Sequence, residues 1–139
     1  METILGIDLG TTNSEVAIVR DGQPHVLEED GDPILPSFVG LSDDGKLLVG
    51  KAARNQYALA PERTIKSIKR KMGQDVKVRL GDQEYRPQEI SAMILRKLRD
   101  RAALLEKTFT DFGLNVKVVG IHTGPVITQY EVALETGLR

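Results

Sequence analysis

The apolar residues fall into short blocks whose period changes along the chain. Ile4-Leu5-Gly6-Ile7-Asp8-Leu9 is dense enough in aliphatics for a buried strand, and it ends in a polar turn. Residues 14–20 alternate, with Val16 and Ile18 on one face, which predicts a second strand. Asp21-Gly22 is a hairpin signal, so residues 23–29 become the third strand of a meander. Residues 28–36 are polar, contain Pro33 and Pro36, and read as a loop. Residues 37–41 and 46–49 flank Asp43-Asp44-Gly45 and suggest a second hairpin. Residues 50–59 read as a short helix that stops before Pro61. Residues 64–72 read as another short, basic helix stopped by Gly73. Residues 76–80 and 83–86, around Gly81-Asp82, predict a third hairpin.

The period then lengthens. Pro87 is well placed to open a helix, Glu89 suits its positive N-terminal end, and neither Gly nor Pro recurs before Gly113. Ile90, Ile94, Leu98, Arg101/Ala102, Leu105, Phe109 and Phe112 recur every three or four residues and draw one long stripe, interrupted by Arg101. Gly113 sits where a C-terminal cap belongs. Residues 115–121 are rich in valine and isoleucine and predict a strand, residues 123–125 a turn, and residues 126–134 a last strand. A right-handed crossover through the long helix would lay residues 116–121 parallel to residues 4–9, with 126–134 returning as the new edge.

Composition narrows the function classes. The 139 residues suit one domain of ordinary size, and with aromatics at 4% its core must rest on Val, Ile, Leu and Ala. Twenty acids against nineteen bases leave a formal charge of −1, which gives no argument for nucleic acid or a membrane surface. The absence of cysteine excludes disulfides, zinc-thiolate sites and thiol catalysis. His25 and His122 stand far apart without a neighbour at metal-ligand spacing and read as structural. No apolar run approaches the roughly 18 residues of a membrane span, and the N-terminus enters a strand at once instead of a signal peptide. A cytoplasmic protein is expected.

Candidate chemistry is concentrated in Asp8-Leu9-Gly10-Thr11-Thr12-Asn13. An acid ends a buried strand and is followed by a glycine and two hydroxyls in a tight turn. Gly10 would let backbone N–H groups approach an anion, Thr11 and Thr12 add hydroxyl donors, and Asp8 is a hard ligand for Mg²⁺, directly or through water. The same six residues also suit a plain hairpin turn with a polar tip. Ser67-Ile68-Lys69-Arg70-Lys71 likewise has two readings. It is the solvated face of a basic helix, or it turns one lysine inward to orient water and offset charge on a γ-phosphate.

Taken together these segments resemble the DnaK-type heat-shock chaperones of the actin-like ATPase superfamily. The resemblance is carried in order by residues 4–14, by Leu35-Pro36-Ser37, and by Leu48-Val49-Gly50-Lys51-Ala52-Ala53. It continues through Thr64-Ile65-Lys66-Ser67-Ile68-Lys69-Arg70 and Tyr85-Arg86-Pro87-Gln88-Glu89-Ile90-Ser91-Ala92. It covers residues 3–102. It implies an α/β fold with a partial actin-like (ribonuclease-H-like) lobe, and together with the pattern read above the expected fold is a mixed sheet with an inserted small α+β subdomain, a long helix and a C-terminal β-hairpin. It implies ATP or ADP with Mg as cofactor. Asp8 would lie near the Mg shell, holding the ion through water, Gly10, Thr11, Thr12 and Asn13 would form a phosphate loop, and Lys69 would be the catalytic lysine. The outer subdomain would be the surface for a chaperone exchange factor. A shorter connection between Met72 and Val76 departs from many members and bears on the size of that subdomain.

After Ala102 the chaperone pattern stops. Residues 104–138 resemble the segment ahead of the motor in FtsK/SpoIIIE-type DNA translocases: a helix, a strand, Gly124-Pro125 and the Thr128-Gln129-Tyr130-Glu131 strand. The motor's Walker A loop, G-x-x-x-x-G-K-[ST], occurs nowhere in the sequence. The tail is therefore read first as a helix and hairpin that complete a fold, and DNA is not expected as a partner. The domain reading is an incomplete ATPase lobe over residues 1–103, with its inserted subdomain at about 31–86, completed by residues 104–139. The expected function is weak Mg-ATP phosphate binding without turnover, because the second phosphate loop and adenosine pocket are not in the sequence. The competing readings are a non-catalytic folding or interaction module and a DNA-translocase accessory domain.

Overall fold

The computed structural model describes the backbone of residues 3–107, 114–123 and 128–136, and the side chains of residues 4–104. In chain order the strands are β1 (Thr3–Leu9), β2 (Asn13–Arg20), β3 (Gln23–Val26), β4 (Leu35–Pro36), β5 (Phe38–Leu41) and β6 (Leu47–Val49). Helix α1 (Lys51–Gln56) follows, then β7 (Thr64–Lys66), β8 (Val78–Leu80), β9 (Gln83–Tyr85), helix α2 (Pro87–Lys107), β10 (Leu114–Thr123) and β11 (Thr128–Thr136). The chain divides into two compact units. One draws on residues up to Leu9, on 15–34 and on the chain from Leu98 onward, and the other on 10–14 and 35–97.

The first unit is a sheet in the order β10-β11-β1-β2-β3. Its strands form because apolar residues alternate with the pleat. Leu5, Ile7 and Leu9 of β1 are buried, as are Val16 and Ile18 of β2, while Ile4 and Val19 on the opposite face are exposed. Asp21 and Gly22 both take positive φ, 50° and 74°, the geometry that a two-residue hairpin requires. β3 is shorter than the sequence suggests and ends at Val26, although the Leu27 N–H still donates to Val16 O at 2.9 Å.

The C-terminal hairpin joins this sheet, but in the opposite order to the expected one. β11, not β10, lies against β1, antiparallel, with an unbroken register from Thr3↔Leu134 to Leu9↔Thr128. β10 pairs antiparallel with β11 from outside. The reason lies in the strands themselves. β10 carries an irregularity between Val118 and Gly120, and a bulged strand suits an edge, where it blunts unwanted pairing. β11 is regular against β1, and antiparallel pairing is slightly the more stable per residue. The expected turn at 123–125 and the Gly113 cap fall at least partly outside the described residues, as do the Phe109 and Phe112 positions of the stripe.

The second unit holds a three-stranded antiparallel sheet, β6-β5-β7, and the β8-β9 hairpin. Residues 64–72 correct the sequence reading. Thr64–Lys66 is a strand paired with β5 through Gly40↔Thr64 and Phe38↔Lys66, not the start of a basic helix. Thr64 and Ile65 are β-branched and gain more from a ladder than from a lone helical turn. Ser67 then takes a left-handed φ of 55° and leads into a 3-10 turn, Ile68–Lys71.

α2 starts where the sequence places it. The Glu89 carboxylate reaches back to accept the Arg86 N–H at 2.7 Å, satisfying one donor that the helix cannot. Replacing Glu89 by Ala is expected to cost about 1 kcal/mol in urea denaturation, the scale of one terminal cap. Ile90, Ile94, Leu98 and Ala102 are all buried, which is the first part of the predicted stripe, and the Leu105 side chain lies outside the described residues. Arg101, its one charged interruption, is buried as well. In the first unit its guanidinium donates to Glu29 Oε2 at 3.0 Å and to Pro33 O at 3.1 Å.

Candidate functional site

The turn between β1 and β2 is built from contacts with the segment around β4. Asn13 pairs with Pro36 and Ser14 with Leu35, antiparallel. The Ser37 N–H donates to Thr12 O at 2.8 Å, and the Ser37 hydroxyl donates to Gly10 O at 2.9 Å. Ser14 Oγ lies 2.9 Å from Ser37 Oγ, and both serines are buried. Leu35-Pro36-Ser37 thus grips Gly10–Ser14 inside the second unit. The tip stays accessible: Thr11 is half-buried, Thr12 and Asn13 are exposed.

Gly10 is required by the turn's own backbone. A β-carbon there would sit on the Asn13 carbonyl oxygen, so no other residue fits without moving the turn. This is close approach of the chain to itself and not a left-handed φ, which distinguishes Gly10 from the hairpin glycines.

The remaining candidates lie on either side of the unit boundary. Asp8 belongs to the first unit, at the C-terminal end of β1 and exposed. Lys69 belongs to the second, in the 3-10 turn. It is half-buried, whereas Arg70 and Lys71 are exposed. Lys66 is held elsewhere, with its Nζ 4.5 Å above the centre of the Tyr57 ring. The structure therefore brings Gly10, Thr11, Thr12 and Asn13 into one pinned turn and places Lys69 in the same unit.

Among the described residues no cluster of three or more His, Cys, Asp or Glu forms a metal cage. No helix among the described residues is long and apolar enough to cross a membrane.

The role of Ser37 was missed in the sequence, although its motif was noticed. The available signal was Ser14: a small hydroxyl at a position that the β2 alternation assigns to the buried face needs a partner.

Two family models match. The Hsp70 protein model covers residues 4–78 and the FtsK alpha domain model covers residues 83–139. Among curated proteins, the chaperone protein DnaK of Thermotoga maritima is 54% identical over 103 residues, 73% of this chain and 17% of that protein. The DnaK of Thermotoga petrophila gives the same figures. That of Thermotoga neapolitana is 55% identical over the same extent. The chain thus spans 17% of the length of these relatives. With more than half of its residues matched by the Hsp70 model, the chain belongs to the Hsp70 family, and its C-terminal part is similar to the FtsK alpha domain.

Proposed function

We propose that this chain is part of a chaperone ATP-binding domain that holds the phosphates of Mg-ATP or Mg-ADP weakly and does not turn ATP over by itself. The observation that carries this reading is the pinned turn: a glycine that admits no side chain, followed by an accessible Thr-Thr-Asn tip. Backbone amides held in such a turn form a concavity for an anion. Gly10, Thr11, Thr12 and Asn13 bind phosphate, Asp8 holds Mg²⁺ through water, and Lys69 is the catalytic lysine in the complete ATPase. The half-buried setting of Lys69 beside two exposed basic neighbours supports singling it out. Closing a cleft around a γ-phosphate and excluding water takes two walls, and these 139 residues supply one.

In this reading residues 1–103 are an incomplete ATPase lobe whose inserted subdomain, about 31–86, is the face for an exchange factor. Residues 104–139 complete the sheet. The setting is cytoplasmic, and the balanced charge counts against DNA as a partner.

Calorimetric titration with Mg-ADP tests the binding. Weak saturable binding is expected in the wild type and none in Gly10→Val or Asp8→Ala. Binding that survives both changes would move the site elsewhere. A phosphate-release assay is expected to stay at background, and turnover that disappears in Lys69→Ala would overturn that part.

A second reading, a non-catalytic interaction module, is favoured by the outer face of the first unit's sheet. There Ile4, Val19 and Val26 are exposed around a depression of about 310 Å³. No nucleotide binding at all would leave this reading standing.

A further inference from the structure

We infer that Ser37 is the positioning residue of the phosphate turn, fixing the direction of two backbone amides. This rests on the phosphate reading above. The argument begins with proton counting. A serine hydroxyl has one proton, and that of Ser37 goes to Gly10 O. At the 2.9 Å contact between the two hydroxyls, Ser14 must then be the donor. The result is a directed chain, Ser14 O–H to Ser37 Oγ, and Ser37 O–H to Gly10 O. Both serine side chains are buried, which shields the bond between them from water.

A trans peptide is planar, and its C=O and N–H point in opposite directions. Holding Gly10 O against Ser37 therefore aims the Thr11 N–H away from Ser37. The second donor of the same residue, its own N–H, holds Thr12 O and aims the Asn13 N–H away likewise. One buried serine thus sets two peptide planes, flanking the Thr11–Thr12 tip. Without the hydroxyl bond, the Gly10–Thr11 plane is free to turn its carbonyl toward the anion, where it repels. A purely structural serine would stabilise the fold without dictating this direction.

The test uses the full chain, with Mg-ADP as the probe and amide NMR as the second readout. Ser37→Ala removes the hydroxyl bond and keeps the backbone one. It is expected to weaken Mg-ADP about tenfold, the scale of one or two lost hydrogen bonds. It should also shift the Thr11 amide resonance of the free protein far more than that of Asn13. Ser14→Ala removes only the outer donor and should give the same pattern at smaller size, which covers the case in which Ser37→Ala fails to fold. A displaced Thr11 amide with unchanged affinity would overturn the positioning role. An unmoved Thr11 amide would overturn the clamp itself. Absence of binding in the wild type would instead remove the phosphate reading and, with it, this inference.

Discussion

Glu29→Ala is expected to destabilise the protein by about 2 kcal/mol, below the ~3–5 kcal/mol typical when a fully buried ion pair loses one partner. The discount follows from asymmetry. The Arg101 side chain is 5% exposed and that of Glu29 is 46% exposed. Water already screens the carboxylate, but the guanidinium depends on protein acceptors. With Glu29 gone it keeps only Pro33 O among the bonds seen here, and its Nε has no partner among the described residues. The loop supports the geometry. Glu29 and Asp32 exchange backbone bonds of 3.0 and 3.1 Å across Asp30 and Gly31, both at positive φ. That tight turn holds the carboxylate where α2 presents Arg101. Arg101→Met should cost less than Glu29→Ala, because it removes the charge that needs a partner and leaves a screened carboxylate at the surface. Urea denaturation of the two variants reads the order directly. An Arg101→Met protein clearly less stable than Glu29→Ala would mean that packing of the arginine stem, not its charge, dominates.

What was legible in the sequence was local. The Asp21-Gly22 hairpin, the alternation of β1 and β2 and the stripe of α2 each follow from residues within one turn or pleat of each other. Thr64–Lys66 was not legible, because its strand character comes from β5, more than twenty residues earlier in the chain. Without that ladder, three basic residues around Ile68 look like a helix. Arg101 looked like a flaw in an apolar face for the same reason: its acceptors lie 68 and 72 residues away. At the candidate site, Gly10 and the hydroxyl tip could be named from residue type alone. What orients them could not, since Ser37 reaches Gly10 across 27 residues.

The order of the C-terminal hairpin is the feature that sequence reasoning placed wrongly, and proline separates the two arrangements. Proline removes a backbone N–H, so it is tolerated in a sheet only where that N–H faces outward from an edge. In the observed order β11 lies between β1 and β10, and no interior N–H of β11 faces out. Val132, opposite Leu5 on one side and Val118 on the other, is the central test position. Val132→Pro is expected to cost on the order of 3 kcal/mol, from a lost ladder bond and an unsatisfied carbonyl. Protection of the β1 amides against hydrogen exchange should fall with it. β10 is an edge, so of two successive positions, Val116 and Lys117, one directs its N–H outward. Proline at one of the two should therefore leave β1 protected. If β10 lay inside, parallel to β1, both of those prolines would strip protection from β1, and β11 would tolerate proline at every second position. That outcome would restore the crossover arrangement and reject the antiparallel one.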